Sequence, residues 1–113
     1  MAAGHYGLSN LTFIIDRNRW QSCSAVDCTI DIEPLKEKLS SFGWYVKEVD
    51  GHDHNAIAEA LTSRHEEKPT AVIATTIKGK GVSFMEEDNS WHQRPITDKE
   101  YDKAMAELKA GER

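Results

Sequence analysis

No apolar run in these 113 residues approaches the roughly 20 needed to cross a bilayer, and the opening MAAGHYGLSN lacks the basic-then-apolar layout of a signal peptide. A soluble, cytoplasmic protein is the expectation. Lysine and arginine, 14 against 19 acidic residues, nowhere gather into a stripe that could track a phosphate backbone, and the formal net charge is −5. No nucleic-acid partner is expected on that ground. Cysteine is scarce: Cys23 and Cys28 are the only two, with four residues between them in CSAVDC and no second ligand pair at zinc-site spacing. They read as reduced thiols whose role the sequence leaves open.

What is present suits one compact α/β domain, with 39% hydrophobic and 29% charged residues. A chain this short buries a small share of its surface, so assembly with a partner is expected. AAGHYGLSN reads as helix, with Gly7 a stop before the strand LTFII. A polar connection, DRNRWQSCSAVDCTIDI, comes next. EPLKEKLSSFG spaces Leu35, Leu39 and Phe42 as a short amphipathic helix ending at Gly43. WYVKEVDG reads as a second strand, and DHNAIAEALTSRHEE as a helix capped by Asp53 that carries Ile57, Ala60, Leu61 and Arg64. KPTAVIATTI is a third strand, with Pro69 tolerated at its start. KGKGVSFMEEDNSWHQRPIT is irregular, and DKEYDKAMAELKAG closes as a helix expected to turn Tyr101, Met105 and Leu108 inward. Strands separated by helices predict an α/β fold, a three-layer, mostly parallel sheet with flanking helices.

Ligands of such sheets gather at the carboxyl ends of the strands. DRNRWQ, DGHDH and KGKGVSF should therefore share one edge. Asn18 offers an amide oxygen suited to a hard cation such as Mg2+, or a side chain that bonds its own turn. His52 and His54 lie two residues apart, but Asp50, Gly51 and Asp53 around them have the chemistry of a turn and cap. Lys78, Gly79, Lys80 and Gly81 form neither a Walker loop nor a dinucleotide fingerprint, leaving a flexible turn or a close backbone contact with a cofactor. His92, in NSWHQRPI, is either a solvated loop histidine or a group for proton transfer.

Taken in order, AAGHYGLSNLTFIIDRNRWQ, EPLKEKLSSFGWYVKEVDGHD, KPTAVIATTIKGKGVSFME and SWHQRP resemble the carboxyl-terminal half of the diphosphate-binding domain of transketolase. The resemblance is colinear from near residue 2 to near residue 108. It implies a thiamine-diphosphate enzyme that transfers a two-carbon ketol unit between sugar phosphates, with the thiamine ring adding to the ketose carbonyl. In that family an Asp and an Asn of a GDG…N motif hold Mg2+ together with a backbone carbonyl two residues beyond the Asn. Carried over, Asn18 supplies its side-chain oxygen and Trp20 its carbonyl. Lys78 and Gly79 match the segment beside the cofactor. His92 matches a histidine near the diphosphate and the reacting carbon, placed to exchange protons or steady charge.

The departures shape the expectation. The GDG strand, with its metal-binding Asp, and the activating Glu of the pyrimidine-binding domain have no counterpart in these residues. SCSAVDC stands where the family commonly has a glycine-containing loop. Deoxyxylulose-phosphate synthase shares DGHD and KGKG, but normally with a much longer insertion, whereas Asn18 and Asp50 are 32 positions apart here (50 − 18). Residues 1–113 are therefore expected to be a partial transketolase-like domain. It would be a fragment or split-gene subunit, inactive alone and completed by a complementary chain or domain in a homo- or hetero-oligomer. The rival expectation is a non-catalytic binding or assembly module derived from such a domain.

Overall fold

The computed structural model describes residues 1–22 and 24–111; Cys23 lies outside the described residues. The chain divides into two compact units. The first comprises Met1–Arg17 and Ile30–Thr76, the second Asn18–Thr29 and Ile77–Arg113.

The first unit is built on a three-stranded sheet of β1 (Thr12–Arg17), β4 (Tyr45–Asp50) and β5 (Thr70–Thr75). Its spatial order is β1-β5-β4, and both pairings are parallel. The last strand in sequence thus sits in the middle. Its composition explains that position. TAVIAT is a continuous apolar run rather than an alternating one, as a strand covered on both faces requires, and Thr70 to Ala74 are buried throughout. Val72 and Ile73 are each about 1% exposed, and burying such side chains contributes about 1.5–3 kcal/mol apiece. The outer strand β1 differs, because Phe13 and Ile14 remain 46% and 54% exposed. The parallel α/β sheet with flanking helices is the fold expected from the strand and helix pattern.

Two short helices lead into the sheet, α1 (Ala2–His5) and α3 (Leu35–Ser41). Gly4 lets their backbones meet: a Cβ there would lie 1.9 Å from the Phe42 carbonyl oxygen. The helix α4 (His54–Thr62) links β4 to β5. Asp53 caps it as its sequence predicts, with Oδ1 accepting from Asn55 N–H at 2.9 Å and Ala56 N–H at 3.1 Å. It stops earlier than expected, leaving Arg64 outside. Ser63 is the terminal cap, and Lys47 Nζ donates to the Ala60 and Ser63 carbonyls at 3.2 and 2.5 Å. A cation from the neighbouring strand satisfies the end of the helix there.

The second unit contains a hairpin of β2 (Trp20–Gln21) and β3 (Ser24–Ala25), the one-turn helix α2 (Val26–Thr29), a compact loop, a 3-10 turn over Asn89–His92, and α5 (Asp98–Gly111). The sequence pattern suggests only a polar connection over the hairpin and α2. The inward face of α5 also differs from expectation. Ala104 is the buried position, at 6% exposure, whereas Tyr101 is 54% and Leu108 41% exposed. No described helix is long and apolar enough to cross a membrane.

Candidate functional site

The register puts Arg17, Thr75 and Asp50 in one row, so the three carboxyl ends of the parallel strands do share an edge. At that edge the segment after β4 is structural. Asp50 Oδ1 accepts from His52 N–H at 2.8 Å and Asp53 caps α4, which leaves DGHDH as turn and cap. Among the described residues no three His, Cys, Asp or Glu side chains gather to hold a metal ion.

The other candidates all fall in the second unit. Asn18 opens the β2–β3 hairpin. Val26 N–H donates to Arg19 O at 3.0 Å, which makes Trp20 and Ala25 a pair that exchanges no hydrogen bonds across the ladder. Residues in such a pair turn their own N–H and C=O outward. Trp20 N–H is taken up on that side by Asn18 Oδ1, at 2.9 Å. The Asn18 side-chain oxygen and the Trp20 carbonyl therefore lie along the same outer edge of the hairpin. An amide oxygen has two lone pairs, so one donor does not exhaust it. Arg19 (φ 67°) and Ser22 (φ 45°) are both left-handed without being glycine. Each such residue costs about 1–3 kcal/mol, and backbone of this kind concentrates at ligand sites.

Lys78 and Gly79 begin the loop after β5. Glu87 N–H donates to Lys78 O at 2.9 Å, and Gly81 N–H to Glu86 Oε1 at 3.0 Å, which folds the loop on itself. Gly79 has φ +76°, and a Cβ there would strike the Met85 carbonyl oxygen at 2.4 Å. The loop's own closure demands glycine at this position.

His92 is exposed and ends the 3-10 turn. Asp88 caps that turn by accepting from Ser90 N–H at 2.8 Å, and the Ser90 hydrogen bonds hold the Asp88 carboxyl below its ordinary value. Trp91, beside His92, is fixed on several sides. Its indole N–H donates to Phe84 O at 2.9 Å, its ring lies 5.4 Å from the Phe84 ring, and the Arg94 guanidinium stands 4.1 Å over it. Arg94 in turn pairs with Glu100. Lys103 covers the Phe84 ring at 4.8 Å. Glu100 accepts from Thr97 N–H and Oγ1–H at 2.9 and 2.7 Å in a capping box that starts α5. Those Thr97 bonds hold its carboxyl below the usual carboxylate range.

The hairpin and the turn are joined by Asn89, whose Nδ2 donates to Ser22 O at 2.8 Å. Asn18 and Trp20 are thus connected to the segment bearing His92. Sequence reasoning singles out neither Asn89 nor Arg94 nor Glu100. TDKE at capping-box spacing is a legible signal for Glu100; no spacing rule points to Asn89. Cys28 is exposed and free, and the neighbouring Asp27 charge pushes its thiol up.

Residues 1–111 match the family described as "Transketolase, thiamine diphosphate binding domain". Among curated relatives, the chain is 36% identical over 110 residues to a subunit of the apulose-4-phosphate transketolase of Phocaeicola vulgatus, covering 96% of this chain and 39% of that protein. It is equally 36% identical over 110 residues to the 6-deoxy-6-sulfo-D-fructose transketolase subunit SqwG of a Clostridium species, covering 96% and 40%. Among solved structures it superimposes on the transketolase of Campylobacter jejuni with a TM-score of 0.84 at 28% identity, over 96% of this chain and 17% of that one. The chain therefore spans about two fifths of these relatives and about a sixth of that structure.

Proposed function

This chain belongs to the family of the transketolase, thiamine diphosphate binding domain, and from that premise we propose that it supplies part of a magnesium and thiamine-diphosphate site in an enzyme moving a two-carbon ketol unit between sugar phosphates. The observation that carries this reading is the Trp20 N–H donating to Asn18 Oδ1 at 2.9 Å, on the hairpin edge toward which the ladder pattern also turns the Trp20 carbonyl. Two neutral oxygens suit a hard cation, and they would fill two of about six places around Mg2+. The diphosphate and residues beyond these 113 would provide the others.

When bound, thiamine diphosphate supplies the electron sink that lets a carbon–carbon bond beside a carbonyl be broken and remade. The chain's own residues bind and orient. The Trp20 N–H aims the Asn18 oxygen, the closed loop at Lys78 and Gly79 offers backbone beside the cofactor, and His92 holds or moves a proton near the diphosphate and the reacting carbon. Completion by complementary transketolase segments accords with the exposed Phe13 and Ile14 on the outer strand β1. It also accords with two relatives named as transketolase subunits. The same reading makes it a cytoplasmic component of a homo- or hetero-oligomer.

The test is calorimetric titration of the folded chain with thiamine diphosphate and Mg2+, alone and with a polypeptide supplying a GDG strand and a pyrimidine-binding domain. Binding that appears on reconstitution, and ketol transfer with it, is the expected result. A folded chain that binds the complementary polypeptide but never the cofactor would overturn the reading in favour of an assembly module.

A further inference from the structure

We propose that Asn89 is a positioning residue that makes the His92 turn and the Asn18–Trp20 hairpin one rigid site. The proposal rests on the functional reading above only in treating His92 and Asn18 as parts of a common site. Its basis is the amide itself. The Ser22 carbonyl is acceptor-only, so the end of Asn89 facing it at 2.8 Å must be the donor, Nδ2. Oδ1 is then forced to the other side, where it is buried and, among the described residues, has no hydrogen-bond partner. A side chain retained merely to pack would not keep a buried orphan acceptor, since an apolar residue of similar size would fill the space without that cost.

Asn89 is not needed to start the turn either, because Asp88 already caps it through Ser90. The role left for Asn89 is the bridge. It grips the hairpin at Ser22, one of its two left-handed residues, where the chain has turned back toward β3. On the other side, Trp91 is locked to Phe84 and Arg94, so the turn has little freedom of its own. A rigid turn bonded to a strained hairpin transmits position between His92 and Asn18.

The test uses NMR on the full chain carrying Asn89→Leu, which removes both donor and orphan acceptor, or Asn89→Asp, which removes the donor alone. Amide exchange at Trp20, Val26 and Ser90 should rise together by about tenfold, while the amides of β5 keep their protection. Asn18→Ala should shift the His92 ring signals in the otherwise unmodified chain and leave them unmoved in either Asn89 background. Unchanged exchange would overturn the proposal, as would acceleration spreading equally to β5, which marks general destabilisation. A His92 response to Asn18→Ala that persists without Asn89, or is absent with it, would overturn it too. No cofactor enters these measurements. Failure of thiamine-diphosphate binding would therefore sink the functional reading and leave this result standing, and the converse holds.

Discussion

The two units are held together by different physics. In the first, a central strand with no exposed residue from Thr70 to Ala74 supplies a core that owes little to any single polar bond. In the second, among the described residues, only Val82 and Ala104 are buried apolar residues, and the geometry comes from caps, stacked rings and carboxylate bridges. Hydrophobic burial is roughly additive and tolerant of direction, whereas a hydrogen-bonded loop holds specific atoms in specific places. The first arrangement suits stability; the second suits holding particular polar groups, among them the proposed site residues Asn18, Trp20 and His92, in fixed positions.

The largest effect should come from the core. Ile73→Ala removes a side chain that is 1% exposed, and it should lower unfolding free energy by about 2–5 kcal/mol. Denaturant titration measures this, and a loss below about 1 kcal/mol would mean that the central strand is not the main source of stability. Asn18→Ala should reverse the pattern. In the reconstituted enzyme, thiamine-diphosphate and Mg2+ affinity should fall by at least about tenfold with little change in melting temperature. An unchanged affinity would count against the metal assignment.

Intermediate in size is Trp91→Phe, which keeps the ring and loses the indole N–H to Phe84 O. The cost should be about 0.5–1.5 kcal/mol, seen as faster exchange confined to residues 84–94. Smaller still is the acid response of the Glu107 bridge. The Ser83 N–H at 2.6 Å and the Ser83 hydroxyl at 2.8 Å, with lesser help from Lys103, hold the Glu107 carboxyl below its ordinary 4.5. A carboxylate depressed by folding contributes its stability above the unfolded value and loses it as pH falls through the folded one. Protection of the Ser83 amide should thus persist at neutral pH and decline below about 4.5. Glu107→Gln should make that protection low and flat with pH; an unaltered pH profile in this variant would assign the acid response elsewhere. The smallest change expected is Thr70→Val. Among the described residues the buried Thr70 hydroxyl has no partner, so the substitution should be neutral or stabilising by up to about 1 kcal/mol in thermal unfolding. A clear loss would mean that the hydroxyl makes a stabilising hydrogen bond after all.

Much of the first unit is legible in the sequence because its signals are local. TAVIAT reads as a doubly covered strand, Asp53 as a cap, and Leu35 and Leu39 as one helical face, although Phe42, read with them, falls at the C-cap of α3 and is 45% exposed. The end of α4 is not legible, since it depends on Lys47, a residue 13 positions before Ala60 in sequence and on the preceding strand. The α5 face departs from its pattern because periodicity names the large apolar residues, while packing selects the small Ala104. In the candidate site, Asn18 and His92 can be nominated from residue type and resemblance. The hairpin cannot, because two-residue strands leave no periodicity to read.

By itself, then, the sequence determined the family, the parallel α/β class and the residues with suitable chemistry, all properties of local pattern and colinear motif. Tertiary structure alone decided that β5 lies between β1 and β4, that the Trp20 N–H meets the Asn18 oxygen at the hairpin edge, and that Asn89 ties Ser22 to the His92 turn across 67 positions. Those are matters of which backbone groups face one another, and chain folding, rather than residue type, sets that.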